Sequence, residues 1–128
     1  MPLEHEALTG KIIGAAIEVH RKLGPGFIES IYENALMIEL VNQGLKVKNQ
    51  VEVPVHYNGN LVGLHRLDMI VEDTVILELK AISNFEDIHF AVLKSYLRAT
   101  GKNHGLLLNF GKATLDMKRV LVKEKKER

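Results

Sequence analysis

The chain has no cysteine, which removes thiolate catalysis, disulfides and Cys-ligated zinc or iron–sulfur centres from consideration. It also lacks an excess charge of either sign. Lys and Arg number 17 against 16 Asp and Glu, a formal net charge of +1. No strong overall field therefore draws it toward nucleic acid or a membrane surface. No apolar run reaches the roughly 18 residues of a membrane span. The start, Met1-Pro2-Leu3-Glu4-His5-Glu6, has neither the basic nor the apolar region of a secretory signal. A cytoplasmic protein with no membrane partner is the expectation. The six histidines show no His-x-His or His-x-x-x-His spacing, which argues against zinc. What is present is ordinary: 46% apolar and 26% charged residues in 128 positions. That suffices for one domain whose core needs no disulfide or structural metal.

Hydrophobic periodicity predicts a first helix over about residues 9–23, striped by Leu8, Ile12, Ala16, Val19 and Leu23. Ile13 and Ile17 fall on its far side, which predicts burial over most of its surface. Gly24-Pro25-Gly26 ends it in a sharp reversal, because Pro25 disfavours helical geometry at Gly24 and the glycines permit the turn. The stretch lacks the Gly-Lys-Ser/Thr of a phosphate-binding loop, so no nucleotide site is expected there. A second helix over about residues 27–42 should bury Ile31, Ala35, Ile38 and Val41, flanked by Leu36 and Leu40, and stop near Gly44. Glu29 lies in its first turn, near the positive end of the helix dipole, with Tyr32 and Glu33 on the same face.

A β region follows. Val47, Gln50, Val51, Val53, Val55 and Tyr57 alternate loosely, and Asn58-Gly59 is a strong hairpin signal. Pro54 has no N–H to give, so this strand is an edge or carries a bulge. Residues 61–71 return, Glu72-Asp73-Thr74 turns, and residues 75–81 read as a central strand covered on both faces. Ser83-x-x-Glu86 has the form of a capping box opening a helix to about Thr100, which Gly101 ends. Residues 105–110 read as a buried strand and 115–122 as a more exposed one. There are no internal repeats. The order α-α-β-β-β-α-β-β predicts an α/β or α+β sandwich around a mixed sheet, a domain of residues 1–122 with a charged, disordered tail at 123–128.

Chemistry concentrates on the hairpin Arg66-Leu67-Asp68-Met69-Ile70-Val71 and Val75-Ile76-Leu77-Glu78-Leu79-Lys80. Strand alternation points Glu78 and Lys80 the same way. With a two-residue loop Asp68 would face Leu77, on the wrong side. With the three-residue loop Glu72-Asp73-Thr74, Val71 faces Val75 and Asp68 lies opposite Glu78, with Cβ atoms about 5 Å apart. Two unpaired carboxylates at that distance repel unless a proton, Lys80 or a metal intervenes. Asp and Glu oxygens suit Mg²⁺ or Mn²⁺, hard ions that keep waters and bind substrate phosphate. Such an ion lowers the pKa of a bound water and offsets charge on a pentavalent phosphate. Lys80 would orient that water or stabilise the developing charge. Against this stands a plain reading: Glu-x-Lys triplets are common, and Asp68–Lys80 and Arg66–Glu78 could be cross-strand ion pairs. Likewise Glu29 could be only a favourable charge at a helix start, Tyr32 a core or rim aromatic, and His20 a hydrogen-bonded structural histidine.

The segment His20-Arg21-Lys22-Leu23-Gly24-Pro25-Gly26-Phe27-Ile28-Glu29-Ser30-Ile31-Tyr32 resembles the signature of the GxxExxY proteins, with Gly26, Glu29 and Tyr32 in the named places. Asp68, Glu78-Leu79-Lys80-Ala81, Tyr96-Leu97-x-Ala99-Thr100-Gly101 and Gly105-Leu106-Leu107-Leu108-Asn109-Phe110-Gly111 are also similar to that family. The likeness runs over about residues 8–122. It implies membership of the PD-(D/E)XK nuclease-like superfamily, a restriction-endonuclease-like core, and metal-dependent cleavage of nucleic-acid phosphodiesters. It further implies Asp68 and Glu78 as metal ligands, Lys80 as catalytic lysine, and Glu29 as a helix-borne acid completing the catalytic and metal-binding set. One position departs: Val92 stands where the family carries a Gln four residues before the tyrosine. The alternative function is therefore a catalytically degenerate nuclease fold, kept as a binding or protein-interaction module and open to homodimer formation.

Overall fold

The computed structural model describes residues 5–123; the remainder of the predicted tail lies outside the described residues. The elements are α1 (Glu6–Leu23), α2 (Glu29–Asn42), β1 (Val47–Tyr57), β2 (Asn60–Val71), β3 (Val75–Lys80), α3 (Asp87–Thr100), β4 (His104–Asn109) and β5 (Asp116–Leu121). This is the order that periodicity predicts. The strands form one mixed sheet in the order β1-β2-β3-β4-β5, with β3 and β4 parallel and the other neighbours antiparallel. The parallel pair requires a crossover, and α3 is that crossover. One core cluster joins Ile12, Ala16, Val19, Tyr32, Leu36 and Leu40 to Leu77, Leu79 and Leu108. The other joins Leu93, Tyr96 and Leu97 to Ile76 and Leu107. Helices α1 and α2 thus cover one face and α3 the other, which makes β3 and β4 the buried centre. No helix among the described residues is long and apolar enough to cross a membrane.

Three local expectations need correction. Helix α1 is not buried nearly all round, since Ile17 on its far side is 52% exposed. Helix α2 buries Tyr32, Leu36 and Leu40, whereas the expected core residues Ile38 and Val41 are 63% and 56% exposed and Ile31 is exposed too. Its inward face is rotated by one residue, about 100°. Tyr32 explains the rotation. A buried tyrosine needs partners for its hydroxyl, and Tyr32 Oη donates to Gly24 O at 2.6 Å and accepts from Phe27 N–H at 3.1 Å. Its ring stacks on Phe110 at 4.6 Å. Helix α3 is capped by Glu86 rather than Ser83. The Glu86 side chain accepts the backbone N–H of His89, and Glu86 N–H donates to His89 Nδ1 at 2.8 Å.

Pro54 is satisfied twice over: β1 is an edge strand, and its register against β2 shifts between Val55 and His56. Asn58 and Gly59 take φ of 49° and 79°, the signs of the hairpin turn their sequence suggests.

Tyr32→Phe leaves the Gly24 carbonyl and the Phe27 N–H short of a buried partner. It should lower unfolding free energy by about 1–3 kcal/mol in urea titration. Ile38→Ser, on the exposed face, should change it by less than about 0.5 kcal/mol. Equal costs for the two would refute the rotated face.

Candidate active site

The β2–β3 hairpin is closed by the odd loop that convergence of the acids requires. Its ladder runs Val71↔Val75, Ile70↔Ile76 and Met69↔Leu77. Glu72 and Asp73 have φ of 52° and 51°, and Thr74 N–H donates to Val71 O at 3.0 Å. Beyond Met69↔Leu77 the two strands part, β2 continuing along β1 and β3 along β4. Asp68 stands in that fork, where its Oδ2 accepts the Leu79 N–H at 2.9 Å. A side chain here takes a strand donor that no ladder partner claims.

Glu78 is next along the register and only 4% exposed. Its Oε1 has no hydrogen-bond partner. Lys80 Nζ lies 4.0 Å from Glu78 Oε2, the outer limit of an ion pair. Burial, followed by the Asp68 carboxylate, pushes the Glu78 carboxyl up to about 8, against the opposing pull of Lys80 and the Asp68 backbone N–H. Burial also raises Asp68; the Leu79 N–H opposes the shift, the Glu33 and Glu29 carboxylates add to it, and Lys80 counters. Tyr96 of α3 closes the pocket from the other layer. Its phenol is pushed up to about 12 by burial and by the nearby Glu78 and Asp68, and its Oη donates to Arg66 O at 2.5 Å.

The fold therefore brings Asp68, Glu78 and Lys80 together. Glu29 stands apart on the exposed start of α2, though its charge acts on both buried carboxyls. No group of three Asp, Glu or His among the described residues is close enough to hold a metal by itself. Of the two anticipated cross-strand pairs neither forms among the described residues; Arg66 instead meets Glu52 at 3.5 Å.

Several participants carry little signal in the sequence. Glu33 is held by Gln50 Nε2 at 2.8 Å and Asn49 Nδ2 at 3.1 Å. Gln50 has a φ of 51° and drops out of the β1–β2 ladder at the level of Asp68. That conformation is uncommon for a residue with a side chain. Asn109, fully buried, accepts Ile82 N–H at 3.0 Å and Gly111 N–H at 2.9 Å and donates to Ile82 O at 2.9 Å. Phe110 N–H bonds Lys80 O at 2.8 Å. A Cβ on Gly111 would sit 2.5 Å from the Ile82 backbone, so only glycine allows this approach. These contacts clamp the end of β3 that carries Lys80. His20 is structural, its Nε2 lying 2.8 Å from Lys112 O. Val92 packs into the α3-side core.

The donor set fits a hard divalent cation. Two carboxyls from neighbouring strands share a pocket, one oxygen is buried without a partner, and the lysine is too distant to neutralise both.

The same facts fix a pH dependence. Glu78 stays protonated in the folded chain up to about 8, while unfolding returns it to the ordinary carboxylate range near 4.5. Between those values the native state holds the extra proton, so stability falls as pH rises through the window. Glu78→Gln removes that titration. It should be more stable than wild type by about 2–4 kcal/mol at pH 9, with the gap closing toward pH 4.5. A gap independent of pH in urea titrations would contradict the buried-carboxyl assignment.

A family model described as the PD-(D/E)XK nuclease superfamily matches residues 6–120. No curated protein matches. Among solved structures, the chain is similar to SSO0001, with a TM-score of 0.59 at 16% identity over 75% of this chain and 50% of that one. It is also similar to an alkaline exonuclease (LHK-Exo) from Laribacter hongkongensis, with a TM-score of 0.56 at 10% identity over 95% of this chain and 73% of that one. The chain thus spans half the length of the first structure, and at these identities what is shared is the fold. With 115 of its 128 residues matched by the family model, the chain belongs to the PD-(D/E)XK nuclease superfamily, whose members usually use divalent metals.

Proposed function

We propose that this protein is a metal-dependent nuclease of the GxxExxY type, hydrolysing nucleic-acid phosphodiester bonds at Asp68, Glu78 and Lys80. The observation that carries the reading is Glu78: a nearly inaccessible carboxyl beside a second one, with one oxygen unpartnered. Ordinary structural carboxylates are paired or exposed. Glu78 is buried with one oxygen unpartnered and only a 4.0 Å ion pair to Lys80 on the other, and strongly perturbed carboxyls of that kind gather at functional sites.

Asp68 and Glu78 would hold Mg²⁺ or Mn²⁺, with Glu29 lending charge from the rim. The bound ion supplies a polarised water and charge stabilisation at the phosphate. Asp68 is oriented for this by the Leu79 N–H, which occupies one oxygen and leaves the other for the pocket. Lys80, partly exposed and anchored through its backbone by Phe110, places its ammonium where a nucleophilic water or a pentavalent phosphate needs positive charge. The motif itself supports the finer family. Gly26 has a φ of 114° that suits glycine alone, and Tyr32 ties the turn to the core. Glu29 is left as the member of the trio with no scaffolding task. We propose residues 1–122 as one such domain.

Two observations favour a second reading, a degenerate nuclease fold retained for binding. Val92 supplies no amide to the rim, and no ready-made cluster of three metal-binding side chains exists among the described residues. Cleavage of labelled DNA and RNA with Mg²⁺ or Mn²⁺ near pH 8 decides between them. Wild type should cut, and Lys80→Ala and Asp68→Ala should each cut at least about 100-fold more slowly. Calorimetry should show Mn²⁺ binding that strengthens toward pH 8 as Glu78 loses its proton. No Mn²⁺ heat at millimolar metal, with the fold intact, would leave the binding module.

A further inference from the structure

The net charge of +1 conceals a segregation. Helix α2 carries Glu29, Glu33 and Glu39 and no basic residue. On the opposite layer, α3 has Asp87 in its first turn as its sole acid, and then Lys94 and Arg98. Lys94 and Arg98, four residues apart, share one face of the helix, and Lys102 follows just past its end. Lys102 bonds Asp73 at 3.2 Å, and Glu52 of β1 pairs with Arg66. Lys94 and Arg98 make no hydrogen bond or ion pair among the described residues.

Arg98 also lines two hollows. One, of about 650 Å³, lies between α3 and the β1–β2 hairpin and is walled by Pro54, His56, His65 and Ser95. The other, of about 540 Å³, continues past it to Lys102 and Lys123. In the first, His65 is held rigidly. Its Nε2 lies 2.9 Å from Ser95 Oγ, and Ser95 gives its own proton to Val92 O at 2.6 Å. Nε2 must therefore be the donor. The His65 ring stacks on Tyr96 at 3.9 Å and 23°, and the phenol of Tyr96 in turn feels the charges of Glu78 and Asp68. Tyr96 thus links the cleft to the electrostatics of the proposed metal pocket.

We propose that the cleft between α3 and the β1–β2 hairpin seats an unpaired stretch of nucleic acid leading from the scissile bond, with Lys94 and Arg98 on its phosphates and the His65–Tyr96 pair as platform for a base. The inference rests on the nuclease reading for the identity of the polyanion. Arg98 lines the cleft beside the fixed His65 ring, with Lys94 one helical turn before it; cations in line and a stackable ring are the two parts of a single-strand site. A hollow of this size is of ligand-pocket dimensions, roughly 300–1,000 Å³, enough to seat a nucleotide. Stacking likewise requires a base free of its pair.

Fluorescence anisotropy with a labelled single strand of about 12 nucleotides, without divalent metal, reads binding apart from cleavage. Lys94→Gln/Arg98→Gln should weaken binding about tenfold and flatten the log K against log salt slope by about 1.4. Lys11→Gln on α1 should do neither. His65→Ala should weaken binding at least about fivefold without altering the slope, and His65→Phe, which keeps a stackable ring, should restore it. The proposal is overturned if the double variant binds within twofold of wild type at an unchanged slope, or if a blunt duplex binds as well as the single strand and ignores His65→Ala. Loss of binding in the double variant while wild type fails to cut would uphold the cleft and sink the nuclease reading. Undiminished cleavage by the double variant at low substrate would do the reverse.

Discussion

Two carboxyl groups held together where water scarcely reaches are the constraint to which the rest of the molecule answers. Glu78 lies in the central strand, buried on both faces, with Asp68 across the fork and Lys80 no nearer than 4.0 Å. A carboxyl raised to about 8 in such a place opposes folding at neutral and alkaline pH by a few kcal/mol. Whole domains are stable by only about 5–15 kcal/mol. Breaches of local rules of this kind gather at functional sites.

The surrounding architecture keeps the acids from escaping. The Glu72-Asp73-Thr74 loop sets the register that brings Asp68 level with Glu78. The parting of β2 from β3 then lets Asp68 turn its carboxylate onto the Leu79 N–H. Asn109 and Gly111 lock the chain after Lys80, and Tyr32 locks the turn before Glu29. Most of the motif residues are therefore scaffold. Their spacing is explained by backbone hydrogen bonds and a glycine contact, which account for neither Glu78 nor Lys80.

How far this was legible in the chain depends on whether the deciding partner is local. Element order and the shared face of Glu78 and Lys80 follow from periodicity and turn chemistry, which act within a few residues, whereas the choice between a two- and a three-residue hairpin loop is made in the fold. The inward face of α2 does not. Ile31, Ile38 and Val41 on one side and Leu36 and Leu40 on the other make equally apolar stripes, and the choice is made by Phe110, nearly eighty positions away, stacking on Tyr32. The α3 cap slid from Ser83 to Glu86 because His89 offers a ring nitrogen to the Glu86 N–H, a pairing outside the usual Ser/Thr-x-x-Glu form. Within the site, Asp68, Glu78 and Lys80 were readable as chemistry. The contribution of Glu33 was not, since it depends on Asn49 and an unusual backbone at Gln50.

Charge summed over a sequence is blind to where the charges lie. Sixteen acids and seventeen bases read as indifference to polyanions, yet α2 is acidic and the α3 stripe is basic, on opposite faces of one sheet. The carboxyl pocket sits between them, and its sign depends on its contents. Without a cation, Glu29 and Glu33 act on Asp68 and the field in the pocket repels a phosphate, the more so once Glu78 loses its proton. A divalent cation there inverts the local field. The basic stripe beside it needs no such inversion. An anionic strand approaching over α3 therefore meets attraction first and the acidic pocket last, whereas one approaching over α2 meets only glutamates among its charged side chains. A near-neutral chain can in this way favour one direction of entry without the general stickiness that a large positive charge brings.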